Sequence, residues 1–403
     1  MRGSDGSSGA LRSLRERNRA EVIKVLRRER SLSRADIARH TGLSRTTISS
    51  LVGDLQASGI VVEVAGSADD EVHASRGRPG VRLALEPSAG TALGVDFGHT
   101  HVRVAIADLS SRVLAERHAE VDVDHSAATA LDAAAELVDS VLAEAGVDRD
   151  TVIAVGMGLP GPIDSETGQI GSSVILPGWA GVRPGPELNA RLDLSIEVDN
   201  DANLGALGEL TFGAAQGARN LIYVKLASGI GAGLVLGGRL HRGATGIAGE
   251  IGHVLVNPDG PVCRCGSRGC LETVAGAPAL LDLLRPTLGG DVTLSAMLAA
   301  CEDGDAGTRR VVMDAGRAVG RAVADLVNSL NPELIVVGGH LAAAGDPLID
   351  GVRESIGRYS LPAAAQASEV RAGVLGERAG VLGALALVIS DTERLNAAHL
   401  ASI

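Results

Sequence analysis

Aromatic side chains are almost missing from this chain: one Trp, two Tyr and two Phe among 403 residues, 1% in all. Any core must therefore be built from Val, Leu, Ile and Ala. A hydrophobic fraction of 45% against 21% charged residues is enough to build one. Lysine is scarcer still, with only Lys24 and Lys225. Cysteine occurs four times, and three of the four, Cys263, Cys265 and Cys270, fall within eight residues. In a chain of this size that spacing argues against a disulfide framework and points to a metal cluster. No apolar run approaches the ~18 residues a membrane span needs, and no charged-then-apolar leader opens the chain. The expectation is a cytoplasmic protein with no membrane partner. Residues 1–10, MRGSDGSSGA, are polar and glycine-rich, and are expected to stand outside the fold as a native floppy arm or a tag remnant.

What charge there is lies unevenly. The formal net charge is −12, yet residues 1–90 hold 15 Lys and Arg against 11 Asp and Glu, a net of +4 that leaves −16 for the remainder. A basic head on an acidic body is the footprint of a nucleic-acid reader joined to something else, and the length allows two or three domains.

The head carries helix punctuation. Over 11–30 the apolar residues Leu11, Leu14, Val22, Val25 and Leu26 fall near helical spacing among arginines. Ser33 and Asp36 form a capping pair that opens a short helix, and Gly42 supplies the left-handed turn that ends it. Ser44 caps a third helix, in which Ile48, Leu51, Val52 and Leu55 make an apolar stripe. That stripe turns Thr46, Ser49, Ser50 and Gly53 to the opposite side, with Arg45 in the first turn. Small hydroxyls and one arginine suit a major groove, because larger side chains block close approach. Strand-like runs follow at 60–64 and 81–85, joined by a polar loop with Arg76 and Arg78 in Arg-Gly-Arg-Pro-Gly. This reads as a wing whose cationic tip can enter a minor groove. Residues 11–88 are thus expected to form a winged helix-turn-helix, with Ser44, Arg45, Thr46, Ser49, Ser50, Arg76 and Arg78 contacting operator DNA. The plainer alternative is a linker domain with a solvated arginine face.

The body, 89–403, repeats a pattern. Residues 93–108 read strand, turn, strand around Asp96, Gly98 and Thr100. A carboxylate at a strand end beside a glycine turn and a hydroxyl can hold a metal-bound phosphate. A second glycine-rich hairpin, with Ser228, Gly229 and Gly231, follows Lys225, and Gly338 and Gly339 end a third apolar strand. Alanine-rich helices are expected at 127–145 and 309–328. The repetition suggests a duplicated α/β body with a cleft between its halves.

Specific motifs now add to this. Glu250-Ile-Gly-His253, then Cys263-Arg-Cys-Gly-Ser-Arg-Gly-Cys270-Leu-Glu272, resemble the signature of the ROK family of repressors and sugar kinases. Asp199-Asn-Asp-Ala-Asn203 with Gly208-Glu209 is similar to that family's active-site strand and helix. Gly158-Leu-Pro-Gly-Pro-Ile-Asp164 and Leu176-Pro-Gly-Trp179 are similar to its sugar-side loops. The match runs from about Leu93 to the C-terminus, and the winged head is typical of the repressor branch. The resemblance implies an actin/hexokinase-like fold, a sugar in the interdomain cleft, and a homodimer or homotetramer. It places Asn200, Asp201, Glu250 and Glu272 on sugar hydroxyls, with His253 bridging sugar and metal.

One imidazole and three thiolates, from His253, Cys263, Cys265 and Cys270, form a ligand set that tetrahedral zinc favours, and it leaves no open position for catalysis. The zinc is therefore expected to be structural, in a loop spanning 250–272. Cys301 reads as a buried small residue. Trp179 either lines the sugar entrance or fills core. In the family's kinases the residue matching Asp201 is the base that deprotonates the sugar hydroxyl, so a sugar kinase with an accessory DNA-binding head is the rival reading. Against it, His99 stands where those kinases carry a second glycine, and a side chain crowds a turn whose backbone should approach a phosphate. Ser228 replaces a threonine. ATP and magnesium are therefore not expected as working cofactors. The expected function is a sugar-responsive transcriptional regulator.

Overall fold

A computed structural model describes residues 5–64, 81–164, 166–170 and 175–390. Its first helix runs Asp5–Glu29 and takes in residues 5–10. Once a helix is nucleated, each further residue adds a hydrogen bond at the cost of only its own ordering, and low-propensity residues can be carried along. Among the residues of this helix whose burial is described, Val22, Ile23, Val25 and Leu26 are buried, whereas Leu14 is exposed. The second helix, Arg34–Thr41, has the expected capping box between Ser33 and Asp36 and ends on Gly42 at φ 71°. The third, Arg45–Ala57, is capped by the Ser44 side chain and buries Ile48, Leu51, Val52 and Leu55. Strands Val61–Val64 and Arg82–Leu85 pair antiparallel, and Leu32–Ser33 adds to the far side of Arg82–Leu85. Three helices on a small three-stranded sheet complete the winged helix-turn-helix. Arg76 and Arg78 lie outside the described residues.

The body contains two five-stranded sheets of the same topology. In the first the spatial order is Val113–Glu120, His101–Asp108, Thr91–Phe97, Val152–Leu159, Ile196–Asn200. In the second it is Arg239–Leu240, Ile230–Leu236, Leu221–Leu226, Leu334–Gly338, Glu369–Ala372. Each sheet is an antiparallel meander of three strands extended by two parallel ones. Helix Ala127–Ala145 covers the first sheet, and Ala306–Leu330 with Asp346–Tyr359 covers the second lobe.

Two helices lie between the sheets. Asp201–Phe212 packs on strands of the second sheet, Ala379–Ile389 packs on strands of the first, and the two pack on each other. The layers approach at backbone distance. A Cβ on Gly156 would fall 2.0 Å from the Ala384 carbonyl oxygen, and one on Gly383 would fall 1.8 Å from that of Leu204. Any side chain at either position would force the layers apart. The N-terminal ends of both helices open on the interlobe cleft.

The head docks on the body through Leu109, which joins the head's own buried cluster, and through Arg27. Its guanidinium donates to the carbonyl oxygens of Leu109 at 3.2 Å and Ile389 at 3.1 Å.

Candidate functional site

The described DNA-facing candidates share one helix face and its cap. Burying Ile48, Leu51, Val52 and Leu55 leaves Arg45, Thr46, Ser49, Ser50 and Gly53 exposed on the other side of the same helix. Ser44 accepts from the Thr47 amide at 3.1 Å, so its hydroxyl works as a helix cap.

The metal candidates converge as the sequence led us to expect. Ligand atoms of His253, Cys263, Cys265 and Cys270 all lie within 4.8 Å of one another. Cys263 Sγ is 3.6 Å from His253 Nδ1, and Cys265 Sγ is 3.7 Å from Cys270 Sγ. Tetrahedral zinc with bonds of ~2.0–2.3 Å places neighbouring ligands about 3.5–3.8 Å apart, so the donor set fits the ion in both chemistry and spacing. Gly266 at φ 89° and Gly269 at φ 64° let the chain fold back around the cluster. Burial pushes the Cys263 thiol up to about 12 and raises that of Cys270. A bound cation reverses that preference, and so metal uptake must expel thiol protons. Cys301 is buried elsewhere, its Sγ 3.6 Å from the Ala344 carbonyl.

The cleft itself has a volume of about 360 Å³, within the range of small-ligand sites. Asn200, Asp201, Glu250, His253 and Glu272 all line it. His253 turns Nδ1 toward the cysteines and Nε2 toward Glu250, whose Oε2 is 3.8 Å away. One imidazole thus faces both the metal cluster and the cleft. Burial, reinforced by the carboxylates of Asp201 and Glu272, pushes Glu250 up to about 7. Asn200 is already engaged. Its Oδ1 caps the helix Asp201–Phe212 by accepting from the Ala202 and Asn203 amides, and its Nδ2 donates to the Gly161 carbonyl at 2.9 Å. It therefore positions the turn that presents Asp201.

Three residues that sequence reasoning passed over hold these groups. Arg264 clamps Glu272 with two hydrogen bonds of 3.1 and 3.2 Å, and the Cys263 thiol donates to the same carboxylate at 3.2 Å. Arg242 pairs with the buried Asp199 at 2.7 Å, and Asp199 in turn accepts from Asn203 Nδ2 at 2.8 Å. Lys225 donates to Asp201 Oδ2 at 2.7 Å. The position of Arg264 between two of the candidate ligand cysteines was a usable signal, as was a lysine in an otherwise apolar strand. Arg242 has none, because only the tertiary fold brings it to Asp199.

Of the phosphate candidates, Asp96, Gly98, Thr100, Ser228, Gly229, Gly231 and Gly339 line the cleft, with His99, His101 and His340 beside them. Gly338 does not. The Tyr223 ring covers it, with ring atoms 2.5 Å from where its Cβ would stand. His99 Nδ1 is held 2.8 Å from Asp124 Oδ1. Burial lowers His340 below the usual imidazole range. Trp179 is core: it is 1% exposed, packs edge-on to Phe97 and donates Nε1–H to the Val123 carbonyl at 2.8 Å. No described helix is long and apolar enough to cross a membrane.

Comparison with known proteins agrees with both halves of this architecture. The winged helix-turn-helix DNA-binding family matches residues 15–62, and the ROK family matches residues 92–391. The xylose repressor of Caldicellulosiruptor bescii is 29% identical, over 94% of this chain and 96% of its own length. The glucokinase of Halalkalibacterium halodurans is 34% identical over 72% of this chain and 92% of its own. A solved ROK family transcriptional regulator, a homologue of the Escherichia coli Mlc protein, superposes with a TM-score of 0.77 at 26% identity, covering 96% of this chain and 98% of that one. The ROK family contains both repressors and sugar kinases, and this protein belongs to it, with a winged helix-turn-helix at its N-terminus.

Proposed function

We propose that this protein is a sugar-responsive DNA-binding repressor of carbohydrate-utilisation genes. The observation that carries this reading is the union, in one chain, of an exposed face of Arg45, Thr46, Ser49 and Ser50 with a cleft gathering Asp201, Glu250, His253 and Glu272. Relatives named as repressors match nearly the whole chain, whereas the glucokinase match covers 72% of it. Arg45 and the hydroxyls read the major groove, with Arg76 and Arg78 of the wing beside them. A sugar is gripped by the carboxylates of the cleft, and Asn200 sets the turn that presents one of them. Zinc on His253, Cys263, Cys265 and Cys270 is structural: it pins the loop that carries Glu272 and orients the imidazole that faces the ligand. Two heads of a homodimer or homotetramer engage half-sites spaced by the DNA repeat, in the cytoplasm.

The kinase reading keeps one point in its favour, a carboxylate at Asp201 where a base is needed. Phosphoryl transfer depends on holding the donor in line, and His99 replaces the glycine that would let the turn approach a phosphate.

The test is a gel shift on duplexes selected by the protein from a random pool, repeated with a panel of monosaccharides and their phosphates. One sugar should shift DNA affinity, and Asp201→Asn should weaken that response while DNA binding by the free protein persists. If no sugar changes DNA affinity while a coupled assay shows turnover at ordinary kinase rates, about 1–100 s⁻¹, the kinase reading replaces this one.

A further inference from the structure

Phosphoryl transfer from a nucleotide needs a divalent cation to bridge the phosphates and neutralise their charge. The phosphate side of this cleft does not fit that pair, and the misfit centres on Lys225. Along strand Leu221–Leu226, Ile222, Val224 and Leu226 point into the lobe core, and the alternation sends Tyr223 and Lys225 to the other face, toward the cleft. The cross-strand neighbours of Lys225 are Gly231 on one side and Gly338 on the other. The Tyr223 ring lies over Gly338, and the bare Gly231 flank leaves the lysine stem room to extend into the cleft. Its ammonium ends 2.7 Å from Asp201 Oδ2. Burial alone would lower its proton affinity, but the charges of Asp201 and Asp96 outweigh this and raise it, so the cation is retained.

The first phosphate turn is covered as well. A Cβ on Gly98 would fall 2.2 Å from the His101 ring, so that imidazole lies directly over the turn. His101 Nε2 stands 3.9 Å from Asp96 Oδ2, and the His340 ring is 6.3 Å from the His101 ring. Asp96 Oδ1 accepts no hydrogen bond from the described residues, and it points at Gly380 in the first turn of helix Ala379–Ile389. Backbone dipoles there favour a carboxylate. Asp201 is thus paired with an ammonium, while Asp96 faces an imidazole and a helix end.

We infer that Lys225 is a built-in cation: its ammonium occupies the Asp201 carboxylate that a divalent ion would need, excludes metal-nucleotide, and fixes that carboxylate for a neutral polyhydroxylated ligand. Lys225 is accordingly a positioning and specificity residue, and sugar binding needs neither nucleotide nor divalent ion. The inference deepens the repressor reading and rests on it for the identity of the ligand.

The experiment titrates Mn²⁺, alone and with AMP-PNP, into the full chain and follows free Mn²⁺ by electron paramagnetic resonance. The same preparation is titrated calorimetrically with D-xylose, D-glucose and N-acetylglucosamine, with and without Mg²⁺. The wild type should bind Mn²⁺–AMP-PNP no better than buffer proteins do, and its sugar affinity should not change with Mg²⁺. Lys225→Met and Lys225→Thr, one matching the length of the stem and one short and polar, should each gain at least tenfold in Mn²⁺ affinity. Lys225→Arg should not. Circular dichroism confirms folding of each variant. Metal-nucleotide binding by the wild type, or folded Met and Thr variants that bind Mn²⁺ no better than it does, overturns the inference. Because Mn²⁺ exclusion and the sugar effect on DNA are separate readouts, either proposal can fail without the other.

Discussion

Arg27 joins the DNA-reading head to the body, and its replacement by methionine separates the contributions to that seam. The guanidinium makes two charge-assisted bonds to backbone carbonyls, Leu109 at 3.2 Å and Ile389 at 3.1 Å. Bonds of that kind contribute about 1.5–3 kcal/mol each. Opposing them is desolvation: burial pushes the guanidinium down to about 10 from 12.5, which at 1.36 kcal/mol per pH unit is about 3 kcal/mol. Methionine keeps the apolar stem, recovers the desolvation and loses both bonds, so the net destabilisation should fall within about 0–3 kcal/mol, centred on about 1.5 kcal/mol. Arg27→Lys keeps the charge but cannot fork to two carbonyls, and should recover only part of that loss.

The effect should be local. Calorimetry on Arg27→Met should show the head melting earlier while the body transition stays in place, and limited proteolysis should cut between head and body faster. The other end of helix Ala379–Ile389 lines the cleft at Ala379 and Gly380, so the change in DNA affinity on adding sugar should shrink as well. A variant that melts in one transition at the wild-type temperature, with wild-type protease resistance, would show that Leu109 and the apolar contacts alone hold the head.

Arg45→Ala should weaken operator binding by about 1–3 kcal/mol and relax sequence preference; wild-type affinity in a gel shift would remove this helix from the DNA interface. Elemental analysis should find one zinc per chain, which Cys265→Ser should abolish while destabilising the body, since a structural metal adds its binding energy to folding; wild-type protein purified without chelator and free of zinc would refute the site. Zinc added to metal-stripped wild type should release protons, because burial holds the Cys263 and Cys270 thiols protonated without it; an unchanged pH in weakly buffered solution counts against that account. The head should lose stability in acid. The Ser33 hydroxyl, which donates to Asp36, holds its carboxyl below the usual carboxylate range, so the cap's contribution is complete above about pH 4 and is lost as pH falls below it. Asp36→Asn should flatten that part of the pH–stability curve.

Legibility followed the range of the interactions. The head was readable almost residue by residue, because caps, turn glycine and apolar stripe are local: Ser33, Gly42 and Ser44 do what their neighbours in sequence require. The cysteine cluster was readable for the same reason, with three ligands inside one loop and His253 just before it. Pattern alone suggested duplication but not the common strand order of the two sheets, since register and crossover depend on partners far along the chain. The cleft was legible by residue type and illegible by pairing. Asp201 and Lys225 lie 24 positions apart and Asp199 and Arg242 lie 43 apart, distances at which nothing in a single sequence marks a partner.

Glycine shows the limit most clearly. The chain has 53 of them, and a glycine in a strand interior reads as a weakness, a bulge or a close approach. Gly94 and Gly156 sit opposite each other on adjacent strands. Each faces the backbone of helix Ala379–Ile389, with a Cβ falling 2.5 Å from the Val381 oxygen at one and 2.0 Å from the Ala384 oxygen at the other. Gly383 of that helix meets Leu204 of Asp201–Phe212 in the same way. The sheet, the helix whose end holds Arg27 and the helix whose start presents Asp201 are therefore stacked with no side chain between them at these points. Contacts of backbone on backbone have no soft rotamers to absorb a displacement. A shift at Asp201 must be carried into Ala379–Ile389 or strain both layers, and the carbonyl at the far end of that helix is the one the DNA-reading head holds.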